Sequence, residues 1–101
     1  MEDKVEFKDN ILTIHYANYG QEERNYGELF DFLGDNDIIT ASEIGQGVIL
    51  MNDLVFFFTH NDERKLKENS SIELNVHSTL EAYIDLSDPK EKEFYSWYKG
   101  Q

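Results

Sequence analysis

The apolar positions of this chain change period several times, and each change marks an element. Val5-Glu6-Phe7-Lys8 alternates, Asp9-Asn10 is a turn signal, and Ile11 to Tyr19 is rich in β-branched and aromatic residues, so residues 5–19 predict a β-hairpin. Gly20 and the polar residues 21–24 form a loop. Tyr26, Leu29, Phe30 and Leu33 then fall at i, i+3, i+4 and i+7, one face of a helix. Asn25 is placed to cap it, Glu28 occupies the capping-box position and Gly34 is placed to end it. A helix this short needs its apolar face docked on a sheet.

Residues 37–44 predict a strand, Gly45-Gln46-Gly47 a turn, and residues 48–51 a second strand. Asn52-Asp53 reads as a tight turn into a third strand over 54–59, in preference to one long bulged strand. The polar stretch 60–69 predicts a loop or a single helical turn. From Ile72 to Leu86 apolar residues occupy nearly every even position and polar ones most odd positions, which predicts β structure with one wet face. A strand of that length is unusual, so a bend or hairpin is expected near residues 77–79. Asp88-Pro89 has the form of an N-cap followed by proline at the first helical position. A short C-terminal helix follows, with Phe94, Trp97 and Tyr98 on one side and Gly100 after it. The sum is one α+β domain over 1–101, an antiparallel sheet of about five to seven strands with two short helices.

Composition sharpens this picture. The chain of 101 residues is 40% hydrophobic and 14% aromatic, enough for a packed core and too aromatic for a disordered acidic tail. There are no cysteines, which excludes disulfides and thiolate metal sites. The N-terminus lacks the basic and apolar regions of a signal peptide, and the apolar runs are far too short for a membrane span. A cytoplasmic protein is therefore expected.

Charge changes the picture most. The chain holds 21 acidic and 9 basic residues, a formal net charge of −12. Between Asn25 and Glu63 lie eight acids and no Lys or Arg, and between Glu68 and Pro89 five more, again without a base. The whole excess sits in these two blocks. Self-repulsion on this scale disfavours the compact state, and it also disfavours binding to nucleic acid or to anionic membrane.

Catalytic and metal motifs are absent. His15, His60 and His77 show no ligand spacing. Asp35-Asn36-Asp37 begins like a calcium loop, but the sixth position is Thr40 and the twelfth Gln46. Gly45-Gln46-Gly47 is too short for a phosphate loop, and no serine lies in a nucleophile elbow. Carboxylate pairs abound, with nothing to single one out. No catalytic residue, metal or cofactor is expected.

The acids themselves are the candidate chemistry. Carboxylates three or four apart on a helix lie about 5–6 Å from one another, and those two apart on a strand about 6–7 Å. Duplex DNA presents phosphates as a regular anionic array, and a rigid fold can offer a similar one. The candidate partner-binding residues are Glu28, Asp31 and Asp35 from the helix region, Asp37 and Glu43 from the next strand, and Glu73, Glu81 and Asp85 from the alternating segment. The bland alternative is a solvated acidic face that serves solubility.

In size, charge and α+β patterning the chain resembles the small acidic inhibitors made by phages and mobile elements, which occupy DNA-binding sites of host proteins. No signature motif underlies the resemblance, so it carries over no functional residues. It implies a non-enzymatic DNA mimic that binds a basic DNA-binding protein, with a histone-like nucleoid protein such as HU as the first expectation. An immunity or antitoxin-like protein that blocks a basic nuclease toxin uses the same electrostatics. A small-ligand domain or enzyme would need a concave pocket with converging polar groups. Phe56, Phe57 and Phe58 must occupy both faces of their strand, so either a helix covers the second face or a homodimer seam runs through them or through the C-terminal helix.

Overall fold

The computed structural model describes residues 2–21, 23–40 and 47–100. In chain order these form β1 (Lys4–Lys8), β2 (Ile11–His15), α1 (Tyr26–Asp35), β3 (Ile39–Thr40), β4 (Val48–Met51), β5 (Leu54–Phe57), α2 (His60–Asn69), β6 (Ser71–Asn75), β7 (Ser78–Thr79), α3 (Leu80–Tyr83) and α4 (Pro89–Lys99). The class is α+β, with two antiparallel sheets in the orders β1-β2-β6 and β3-β4-β5-β7.

Both hairpins close as their turn residues require. Asp9 and Asn10 have φ of 54° and 64°, and Asn52 and Asp53 have φ of 51° and 63°. Positive φ at both central residues is the geometry that matches strand twist, and Asn and Asp tolerate it better than other residues with a Cβ.

The first sheet alternates because one face is wet. Leu12, Ile14, Ile72 and Leu74 turn inward, against Leu29 and Leu33 of α1, Leu66 of α2, and Ile49 and Phe56 of the second sheet. The second sheet is covered on both faces. Ile49 and Phe56 join this first core, while Val48, Leu50 and Val55 form a second core with Leu80, Ile84 and Phe94. That double burial explains why residues 48–51 and 54–57 read as continuous apolar runs.

Phe56 and Phe58 are buried in the first core, and Phe57 packs on the other side against His77 and Tyr83. A homodimer seam through Phe56 or Phe58 would need those rings at the surface, and the chain's own layers cover them, whereas Phe57 is half-buried. At the C-terminal helix, Phe94 turns into the second core and Trp97 is half exposed.

Three elements differ from expectation. Residues 60–69 form a ten-residue helix rather than a loop or a single helical turn. Only Leu66 is fully buried, so the apolar stripe that reveals most helices is missing. The helix is specified by a capping box between Thr59 and Asp62 and by the Glu63–Lys67 pair one turn apart, at 3.5 Å. Second, α1 runs past Gly34. It ends in a Schellman motif, with Asp37 at φ 62°, Asp37 N–H donating to the Gly34 carbonyl and Ile38 N–H to the Leu33 carbonyl. Third, the alternation after Ser78 does not continue as a strand. The chain leaves the first sheet after β6, pairs briefly with β5 as β7, and turns into α3 behind its Thr79 cap. Leu80 and Ile84 are buried at i, i+4, a spacing that a helix and an alternating strand both satisfy. Of the predicted strand over 37–44 only Ile39–Thr40 is seen paired. Residues 41–44, Gly45 and Gln46 lie outside the described residues.

The N-terminus is tied to the loop that enters α1. Arg24 donates to Asp3 Oδ2 at 2.7 Å and to the Ala17 carbonyl at 3.0 Å, and Ala17 N–H donates to Asp3 Oδ1 at 3.0 Å. Burial of Asp3 opposes ionisation, but the Ala17 and Arg24 contacts outweigh it and hold its carboxyl below the usual range. Stability from such a depressed carboxylate is fully present above its unfolded value and is lost as pH falls through the folded one. Asp3→Asn is therefore expected to cost about 1–2 kcal/mol at neutral pH, with the deficit shrinking below about pH 4. Urea titrations of both proteins at several pH values check this, and an equal deficit at pH 7 and pH 3 would contradict it.

Candidate functional site

α1 carries the strongest candidate. Asn25 Oδ1 accepts from Glu28 N–H at 3.1 Å and starts the helix. Leu29 and Leu33 dock its apolar side in the first core. Glu28, Asp31 and Asp35, at i, i+3 and i+7, form one exposed stripe on the other side. Asp37 is exposed just after the helix, at the left-handed residue that closes it.

Among the described residues no base pairs with this ridge. Of the twelve described acids in the two blocks, only Asp53 and Glu63 form an ion pair, with Lys99 and Lys67. Arg24, two residues before α1, is turned instead to Asp3 and lies over the Tyr16 ring at 4.7 Å. The last turn of α1 has no basic residue. Only Glu28, in the first turn, suits the helix dipole. Asp35 opposes it, and Asp31 and Asp35 repel each other at i, i+4. Each conflict costs a few tenths of a kcal/mol, and nothing nearby offsets it.

The remaining candidates lie elsewhere. Glu73 is on the outer face of the first sheet, in one row with Thr13 and Glu6. There Lys4 pairs with Glu6 at 3.3 Å and His15 lies 3.7 Å from it, so that face is mixed in charge. Glu81 sits on α3 and accepts from Tyr95 of α4 at 3.3 Å. Asp85 follows α3, and its Oδ1 accepts from the Ser87 hydroxyl and N–H, which lowers its pKa and shapes the turn into α4. Glu81 and Asp85 therefore do not share a wet strand face with Glu73, as the alternation predicts. Glu43 lies outside the described residues. Three of the eight candidates form one ridge, Asp37 follows it in the closing turn, and three fall on other layers.

A second feature was not legible in the sequence. A cleft of about 590 Å³ is lined by Tyr26, Gly47, Phe57, Phe58, Thr59, His60 and Glu63. It lies where α1 and α2 begin. Gly47, at φ 78°, lets the backbone pass so close to the Phe58 carbonyl that a Cβ would collide with it. Phe58 N–H donates to the Gly47 carbonyl at 2.6 Å. Tyr19 O–H donates to Glu63 Oε1 at 3.0 Å, and burial together with that carboxylate raises the Tyr19 pKa far above its usual value. Burial, with Glu63 second, also raises that of Tyr26. Both phenols stay neutral, and Glu63 is the acceptor. The only trace of the cleft in the sequence is the capping box of α2; its walls come from segments distant along the chain.

Among the described residues no three His, Asp or Glu side chains converge as metal ligands. No described helix is long and apolar enough to cross a membrane. Compared with known protein families, with curated proteins and with solved structures, the chain matches none.

Proposed function

We propose that this protein is an acidic DNA-mimic inhibitor that acts in the cytoplasm of a host cell and occupies the basic DNA-binding surface of a host protein, a histone-like nucleoid protein such as HU being the first candidate. The observation that carries this reading is the ridge of Glu28, Asp31 and Asp35, held on a docked helix with Asp37 exposed just after it, and with no ion pair to any base among the described residues. A surface needed only for solubility gains nothing from acids placed against the helix dipole and against one another. A surface that must look anionic to a partner gains directly, because each carboxylate meets a cation that otherwise meets a phosphate.

The limited length of the ridge favours a second reading. Three clustered acids fit a compact basic patch as well as an extended groove, so an immunity or antitoxin-like protein that caps a basic nuclease toxin is the alternative. One titration addresses both. Unlabelled protein is added to labelled DNA bound to purified nucleoid and other DNA-binding proteins, at low and at physiological salt. DNA is expected to be displaced, with affinity falling steeply as salt rises. Displacement from a nuclease alone would select the second reading. No displacement from any member of the panel would end both.

A further inference from the structure

β1 is an outer strand of the first sheet, and its free edge lacks the usual safeguards. Native edges are commonly blunted by proline, by a bulge or by an inward-pointing charge. β1 has none of these. Its register with β2 is unbroken from Lys4 to Lys8, and its inward side chains are Val5 and Phe7. Val5 packs on the first core, and Phe7 is 38% exposed although its ring meets Phe56. The two-residue Asp9-Asn10 turn closes on a hydrogen-bonded pair, Lys8 with Ile11, and such pairs alternate along the ladder. Val5 and Phe7 therefore turn their N–H and C=O groups away from β2. Among the described residues no other backbone group takes them. The exposed residues Glu2, Lys4, Glu6 and Lys8 stand two apart and alternate in sign, in a chain whose acid excess lies elsewhere.

We propose that this edge is a dimerisation surface whose occupant is β1 of a second copy of the chain, antiparallel and in register about Val5. Charge complementarity selects that register. Lys4 then faces Glu6 of the other copy and Glu2 faces Lys8, each twice by symmetry. A register centred on Glu6 sets Lys4 against Lys8 and Glu6 against itself. One centred on Lys4 sets Glu2 against Glu6 and Lys4 against itself. A register centred on Phe7 keeps only the Glu6–Lys8 pairs and runs into the turn at Asp9. Lys4 also reaches Glu6 of its own strand at 3.3 Å, but both side chains are more than half exposed, and such a contact is readily shared. The two Val5 residues exchange backbone hydrogen bonds, and Phe7 does so with Asp3, whose carboxylate stays with Arg24 and Ala17. On the inner face each Phe7 lies diagonal to the other copy's Val5, within reach of an aromatic ring. Lysines that repel other strands from an edge each meet a carboxylate here. The product is one continuous sheet in which β6-β2-β1 of each copy joins the other. The inference goes beyond the preceding reading and does not depend on it.

Sedimentation of the full chain is followed from micromolar to millimolar concentration, with amide hydrogen exchange in parallel. A monomer–dimer equilibrium is expected, in which the Val5 and Phe7 amides gain protection as concentration rises. Lys4→Glu turns two attractive pairs into repulsive ones and should weaken the dimer about ten-fold. Adding Glu6→Lys to it restores opposite charges across the seam and should recover most of that loss. Val5→Pro removes the two central donors and leaves the ladder to β2 intact, a change that edge strands tolerate. It should abolish the dimer in a chain that keeps its circular dichroism spectrum. If Val5→Pro unfolds the chain, the charge-swapped pair of variants decides alone. A chain that is monomeric at millimolar concentration, a dimer that survives Val5→Pro, or a double variant no better than Lys4→Glu would overturn the proposal.

Discussion

Replacing Phe56 by alanine is expected to remove about 3–5 kcal/mol of folding stability. The ring is fully buried, packs between the two sheets and meets Phe7 edge-on at 6.1 Å. Its loss leaves a cavity that neither sheet can collapse to fill, because hydrogen-bonded ladders fix the distance between the layers. Domains of this size are stable by roughly 5–15 kcal/mol, so the variant should be partly unfolded in mild urea. The check is urea unfolding with fluorescence and circular dichroism, where the midpoint should fall and the slope stay unchanged. Phe57→Ala should cost clearly less, since that ring is only partly buried in the second core. Equal losses at the two positions would contradict the assignment of Phe56 and Phe57 to opposite faces of β5.

The second large effect has two signs in one protein. Asp31→Lys combined with Asp35→Lys should stabilise α1, because it sets a cation one turn from Glu28, replaces an anion by a cation at the helix C-terminus and lowers the net negative charge, although two lysines at i, i+4 repel as two aspartates do. The gain is expected to be about 0.5–1.5 kcal/mol in total. The same double variant should lose about a hundred-fold or more in DNA competition, since each reversal sets a cation against a cation on the partner. The salt dependence of competition should flatten as well. Glu73→Lys, placed on the mixed outer face of the first sheet, serves as the control and should compete nearly as well as the parent. A double variant that is more stable and competes undiminished would show that the ridge is not the contact surface. A ridge that only served solubility would give the stability gain without the loss of binding.

Elements with a clear period or a stereotyped boundary were legible in the chain before any coordinates. The Asp9-Asn10 and Asn52-Asp53 turns, the Asn25 cap and the Asp88-Pro89 start of α4 all depend on residues within a few positions of one another. Local sterics and local hydrogen bonds decide such features. α2 was not legible in the same way. With one buried leucine its apolar face is too narrow to create a period, and its cap was the remaining sign. The stretch 80–86 misled because alternation and helical spacing coincide at Leu80 and Ile84. Only the choice of neighbours, Val55 and Phe94 in the second core, settles which is used.

By itself the sequence determined the α+β class, the acid-rich middle of the chain and the stripe of Glu28, Asp31 and Asp35 on one helix, because these follow from composition and from a spacing of three to four residues. The tertiary structure decided which acids share a surface. Glu73, Glu81 and Asp85 look like members of the same array along the chain, yet they fall on different layers, since β6 belongs to one sheet while β7 and α3 pack with the other. It also brought Tyr26, Phe58 and Glu63 together around one cleft. Proximity between residues some thirty positions apart is set by how layers bury their apolar faces, and no local pattern encodes it.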